Sequence, residues 1–114
     1  MQQRLFANRF VQGAVVATIQ FTKNKSLKTV KPSRTALLNN TGHDLVLKFV
    51  TAPDLLLPAF TISVDVSAAI DCFAIGATRY YSTHSQNYAI AEKSTAVLTL
   101  DDHTLSMVVS TLEK

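Results

Sequence analysis

The sequence predicts an all-β fold: an antiparallel β-sandwich of about eight short strands, with a jelly-roll arrangement as one option and a short N-terminal arm or helix. Three observations carry that expectation. Apolar and polar residues alternate with period two, as where Ile62, Val64 and Val66 interleave with Thr61, Ser63 and Asp65. Clusters of Asn, Gly, Pro and Asp interrupt the runs at the spacing of short strands. No segment after residue 12 sustains a helical period. A chain of 114 residues is one domain of ordinary size, divided by this reading into an arm over 1–13 and one β-sandwich domain over 14–114.

Residues 2–12 read as an amphipathic turn or helix. Phe6 and Phe10 are four apart with Leu5 beside them, and Gln, Asn and Arg fill the other positions. Leu5, Phe6 and Phe10 are the candidate arm contacts. Gly13 punctuates, and 14–22 is a strand rich in β-branched residues. Lys23-Asn24-Lys25-Ser26 is a polar turn. Residues 27–31 form a short strand that ends at Pro32, since a proline removes a donor and restricts the residue before it. Residues 34–39 open a hairpin whose turn is Asn39-Asn40-Thr41-Gly42-His43-Asp44 and whose return strand is 45–50. Lys48 marks one face of that return strand as wet.

Leu55-Leu56-Leu57 lies between Pro53 and Pro58. It either plugs one end of the sandwich or forms an exposed contact patch. Residues 62–66, 70–75 and 78–82 are the next strands, with a bend at Gly76, and 84–87 is a polar loop. Residues 88–91 make a short ambiguous segment. Residues 95–100 and 104–112 are the last two strands, joined by the tight connection Asp101-Asp102-His103.

The charges are unevenly placed. The first 43 residues hold seven bases (Arg4, Arg9, Lys23, Lys25, Lys28, Lys31 and Arg34) and no acid; the remainder holds eight acids and four bases, so +7 meets 4 − 8 = −4. Such a split points to a charged partner or a self-complementary assembly surface. The apolar stretch from Phe10 to Phe21 is interrupted by Gln12, Gly13, Thr18 and Gln20. It falls short of the ~20 residues a spanning helix needs, so no membrane partner is expected.

The motifs of common chemistries are missing. With three glycines in the chain, there is no G-x-S-x-G elbow, dinucleotide fingerprint or Walker loop. Asp101-Asp102-His103 reads as turn chemistry, because neighbours in extended chain point to opposite faces and do not converge on one ion. Cys72 sits in an apolar run beside Asp71 and Phe73, a setting for a buried hydrophobe and not for an activated thiol. The expectation is a non-enzymatic protein without cofactor or metal.

Two regions invite a partner. Lys23, Lys25, Lys28, Lys31 and Arg34 form the candidate interaction surface. They fit three roles: contacts to nucleic-acid phosphates, solvated protection of a strand edge, or docking on the acidic part of a neighbouring subunit. Between 22 and 59 the only aromatic is Phe49, and no helix there could enter a groove, which favours protein over nucleic acid. Tyr80, Tyr81 and Tyr88, with His84 and Asn87, form a secondary candidate patch for a sugar or protein contact. The alternative is that one tyrosine of the adjacent pair simply packs inside. Asn24 and Asn39 match the glycosylation acceptor pattern.

Residues 30–76 have a recognisable grammar. Pro32-Ser33-Arg34 leads the strand Thr35-Ala36-Leu37-Leu38, the turn Asn39-Asn40-Thr41-Gly42 and the strand Asp44-Leu45-Val46-Leu47. An alternating segment over 61–66 and then Asp71-Cys72-Phe73-Ala74-Ile75-Gly76 follow. This resembles the small β-sandwich modules of tailed-phage virion proteins. The chain departs from them at Leu55 to Phe60, which has Pro58 but no glycine, so no functional residue carries over. The resemblance implies a virion structural protein, made in the host cytoplasm: a minor capsid, decoration or tail-associated component acting through contacts with copies of itself or with other virion proteins. The alternative is a carbohydrate- or cell-surface-binding β-sandwich module.

Overall fold

The computed structural model describes residues 13–111. Leu5, Phe6 and Phe10 lie outside the described residues. Eight strands are formed: β1 (Val15–Thr22), β2 (Val30–Asn39), β3 (Leu45–Phe49), β4 (Leu55–Leu57), β5 (Ile70–Ile75), β6 (Thr78–Ser82), β7 (Tyr88–Asp101) and β8 (Thr104–Thr111). No helix occurs among the described residues.

The strands form one sheet in the order β2-β7-β8-β1-β6-β5-β3-β4, and β2 also meets β5 at Val30↔Ile70. That pairing closes the first six strands of the order into a barrel, with β3 and β4 continuing outward from β5 as a flap. The all-β expectation therefore holds, but the architecture is a barrel and not clearly an antiparallel sandwich. The physical reason lies in two features. β2 and β7 run parallel over nine paired positions from Val30↔Tyr88 to Asn39↔Leu98. Register shifts at Val15/Ala17, Pro32/Arg34 and Lys48/Phe49 bend and twist the strands, which is how a sheet curls onto itself.

The interior is one cluster rather than a seam between two sheets. Ile19, Phe21, Val30, Leu37, Leu45, Leu47, Phe73, Leu98, Leu105, Met107 and Val109 are fully buried there. The rings of Phe21 on β1 and Phe73 on β5 meet edge to face at 4.9 Å and 89°, the arrangement that aromatic quadrupoles favour. Removing a buried leucine from such a site costs about 2–5 kcal/mol.

Several local expectations change. Pro32 does not end a strand: it is buried within β2, and the bulge beside it accommodates the missing donor. β2 and β3 are sequential but do not pair as a hairpin. The lane beside β2 is taken by residues 60–66, through Thr35↔Val66 and Leu38↔Ile62 and the reciprocal bonds Thr35 N to Val66 O (3.0 Å) and Val66 N to Thr35 O (2.7 Å). Those two isolated bridges are all that the alternating 62–66 segment contributes as strand. Leu55–Leu57, by contrast, is a true strand paired with β3. The segments 88–91 and 95–100 fuse into the single 14-residue β7.

The tight turns form as their residues require. Ile75↔Thr78 and Asp101↔Thr104 each close a two-residue connection. Each has a positive φ at its first residue, Gly76 (58°) and Asp102 (51°), as in the hairpin turns that match strand twist. Asp102 and His103 are thus turn residues.

Candidate functional site

Among the described residues, the surface segment from Leu56 to Val64 carries three of the seven exposed large apolar side chains. Leu57 points into the core at 2% exposure, whereas Leu56, Phe60 and Val64 are 61%, 65% and 73% exposed. The proline-bounded leucines therefore divide: Leu57 plugs the interior and Leu56 faces solvent. Phe60 also has φ 61°, a left-handed backbone that costs a residue with a Cβ about 1–2 kcal/mol. An aromatic residue held in that conformation with its ring in water is over-determined by its surroundings.

Those surroundings centre on Asn39, a fully buried asparagine at the end of β2. Its Nδ2 donates to the carbonyls of His43 and Leu57, both at 2.8 Å. Its Oδ1 accepts from Thr41 N (3.1 Å) and Thr41 Oγ1 (2.7 Å). Its backbone bonds Phe60 N to Asn39 O (2.8 Å) and Asn39 N to Thr61 O (2.9 Å). One side chain thereby ties the end of β2, the 40–43 turn and β4 together, and its backbone fixes Phe60. Gly42, at φ 83°, lies next to the Phe60 ring, 4.0 Å from where a Cβ would stand. Ser63 adds a second pin: its Oγ accepts from Leu37 N at 2.9 Å. Asn39 is no glycosylation acceptor in this state; Asn24 is exposed.

The five basic candidates have different surroundings. Lys23, Lys25 and Lys28 sit in the loop between β1 and β2, where Leu27 is 86% exposed. Lys23 Nζ lies 3.4 Å from His103 Nδ1 at the β7–β8 turn. Lys31 Nζ donates to Ser67 O at 3.1 Å, and Arg34 reaches Asp65 at 3.8 Å. Lys31 and Arg34 are thus engaged with the segment that covers β2. The exposed Arg34–Asp65 pair contributes little to stability.

The tyrosines separate likewise. Tyr80 is a core residue at 5% exposure. Tyr81, on the next position of β6, is half-buried and pairs across strands with Cys72 and Thr22. Tyr88 stacks on His84 with ring centroids 4.8 Å apart at 13°. His84 Nε2 is buried without a hydrogen-bond partner. His84 and Tyr88 of the aromatic–polar group thus come together, while Tyr80 of the same group belongs to the core.

Cys72 is fully buried on β5, and burial, reinforced by the charge of Asp71, raises its thiol pKa; Arg79 and Lys48 oppose the shift. Lys48 also bridges Asp54 at 2.7 Å on the flap. Among the described residues no three His, Cys, Asp or Glu side chains gather as metal ligands would, and no helix is long and apolar enough to cross a membrane. Comparison with protein-family models, with curated proteins and with solved structures finds no match.

Proposed function

We propose that this chain is a non-enzymatic structural or assembly subunit that works through protein–protein contacts. The observation that carries the reading is the Leu56–Phe60–Val64 segment. Three large apolar side chains stand exposed within nine residues, on backbone pinned by Asn39 and Ser63. Scattered apolar residues are ordinary on a surface, but a rigid run of them beside a strained aromatic is what a contact surface needs. Ordering such a segment before binding lowers the entropy lost on association.

The particle it serves, on this reading, is a tailed-phage virion, since residues 30–76 resemble the modules of virion proteins. Copies of the chain are the first partners, with other virion proteins in addition. The split between a basic N-terminal third and an acidic remainder suits head-to-tail contact between copies. A sugar- or cell-surface-binding role is less favoured, because Tyr80 belongs to the core and the three tyrosines do not share one surface.

Sedimentation velocity over a range of concentrations tests the proposal. The protein should form a defined oligomer, and Val64→Glu should shift it to monomer by placing a charge at the contact centre. An oligomer unchanged by Val64→Glu would overturn the proposed surface; a protein monomeric at every concentration would overturn self-assembly.

A further inference from the structure

Leu27 is 86% exposed, the highest value of any large apolar side chain among the described residues. It stands in the loop between β1 and β2 with Lys25 and Lys28 on either side, and no acid precedes Asp44 in the chain. The base of that loop is held in place. Lys28 N donates to Ser26 Oγ at 3.1 Å, Thr29 N donates to Asn87 Oδ1 at 3.1 Å, and Tyr88 N donates to Thr29 O at 3.0 Å. A leucine flanked by lysines is a poor partner for the same loop of another copy, because the ammonium groups would be brought together as the apolar contact formed. It suits an apolar surface of the opposite sign.

The Leu56–Phe60–Val64 segment is such a surface. From Phe49 to Thr78 the chain carries Asp54, Asp65 and Asp71 and no base. Asp44 is a further acid beside Phe60, since its Oδ1 accepts from Ala59 N at 3.0 Å. Lys48 bridges Asp54 and Arg34 reaches Asp65, so around the exposed apolar residues three acids stand against two bases. The two surfaces are kept apart within one molecule. Phe60 N bonds to Asn39 O at the end of β2, whereas Leu27 lies three residues before Val30, where β2 begins. Ten residues at ~3.3 Å each hold the ends of β2 roughly 30 Å apart, and three residues span at most about 10 Å of that distance.

We propose that the Leu27 loop of one copy docks on the Leu56–Phe60–Val64 segment of the next. Leu27 packs against Phe60 and Val64, and Lys25 and Lys28 face Asp54 and Asp65. This pairing rests on the reading of that segment as an assembly surface, and it names what covers the segment. The contact is head to tail: each copy offers one surface of each kind, at opposite ends of β2. Both sides are ordered before they meet, the loop by its bonds to Ser26 and Asn87 and the segment by Asn39 and Ser63, which lowers the entropy lost on association. The rival occupant is the same segment of a second copy, which would oppose two surfaces that both carry an excess of acid.

Complementation between two variants of the full chain tests the pairing. Leu27→Glu disables the loop and keeps the segment; Val64→Glu does the reverse. Both positions are exposed, so both proteins should melt like the original. In sedimentation velocity each variant alone should associate at least about tenfold more weakly than the original. An equimolar mixture should regain association as a complex of two chains, because each partner keeps the surface that the other has lost. Lys25→Glu with Lys28→Glu should weaken association of the otherwise original chain, as should a rise in salt. Undiminished association of Leu27→Glu overturns the pairing; if Val64→Glu alone then loses association, the segment still stands as a contact surface and a second copy of it is the occupant. A mixture of folded variants that stays monomeric overturns the pairing as well. An original protein that is monomeric at every concentration overturns both the pairing and self-assembly.

Discussion

The two ends of the β2–β7 pair solve the same problem differently. At the Asn39 end the lane beside β2 is sealed by a covering segment, and the buried asparagine substitutes side-chain hydrogen bonds for a missing strand. At the Tyr88 end β7 runs beyond Ser94↔Thr111, the last pair it makes with β8 among the described residues, and a groove lies beside it. The sealed end is over-determined, so it can hold a strained Phe60 outward. A barrel wall can therefore carry a pinned, outward-facing segment at one end and a groove at the other without any change in the core between them.

The largest perturbation lies in that shared core. Leu47→Asp should bury an unpaired charge in the interior and leave no soluble folded protein, whereas Lys48→Asp, one position on and half-buried, should be far milder. Expression in the soluble fraction with a thermal melt checks both, and a soluble Leu47→Asp protein with an unchanged melt would refute the register of β3. Next in size is the seal itself. Asn39→Ala strands the carbonyl of Leu57, leaves that of His43 with only Thr41 Oγ1, and should cost about 2–4 kcal/mol in denaturant unfolding, while Glu92→Gln at the Tyr88 end should cost under ~1 kcal/mol. Equal losses at the two ends would dissolve the contrast between them. Gly42→Ala, forced into φ 83°, should cost about 1–2 kcal/mol.

The smallest effect concerns Cys72. Its raised thiol pKa favours the neutral form in the folded state, so its contribution to stability is full below the ordinary cysteine pKa and lost as pH rises through the higher folded value. Alkylation at pH 8 should be slow in the native protein and fast in denaturant. Equal rates would contradict the burial of the thiol.

Much of this fold could be read from the sequence, for local reasons. β1, β3, β5, β6 and β8 follow from alternation and β-branched content, and the turns at Gly76 and Asp102 follow from residues that tolerate positive φ. What was illegible depends on partners distant in sequence. Closure rests on Val30 meeting Ile70, and no local signal marks that pair. Pro32 looked like a break because its tolerance depends on a bulge against β7. Glu92 and Lys93 fell between the assigned segments 88–91 and 95–100, because their side chains are exposed and break the apolar pattern there. The candidate site was half legible. Leu55-Leu56-Leu57 stood out for excess apolarity between prolines, but which leucine turns outward depends on pairing with β3. Phe60 was missed: a lone phenylalanine carries no sequence mark of a left-handed backbone. The basic residues stood out by charge, yet two of them are engaged by the segment that covers β2.

The central claim is that the sealed end presents Phe60 for contact between copies, and Phe60→Asn tests it most directly. Asparagine tolerates the left-handed conformation, so the fold should survive with a melting temperature within a few degrees of the original, about 1 kcal/mol in stability. Sedimentation velocity of the two proteins side by side should show the original associating and Phe60→Asn remaining monomeric at the same concentrations. Identical association of both, with melting unchanged, would contradict the account.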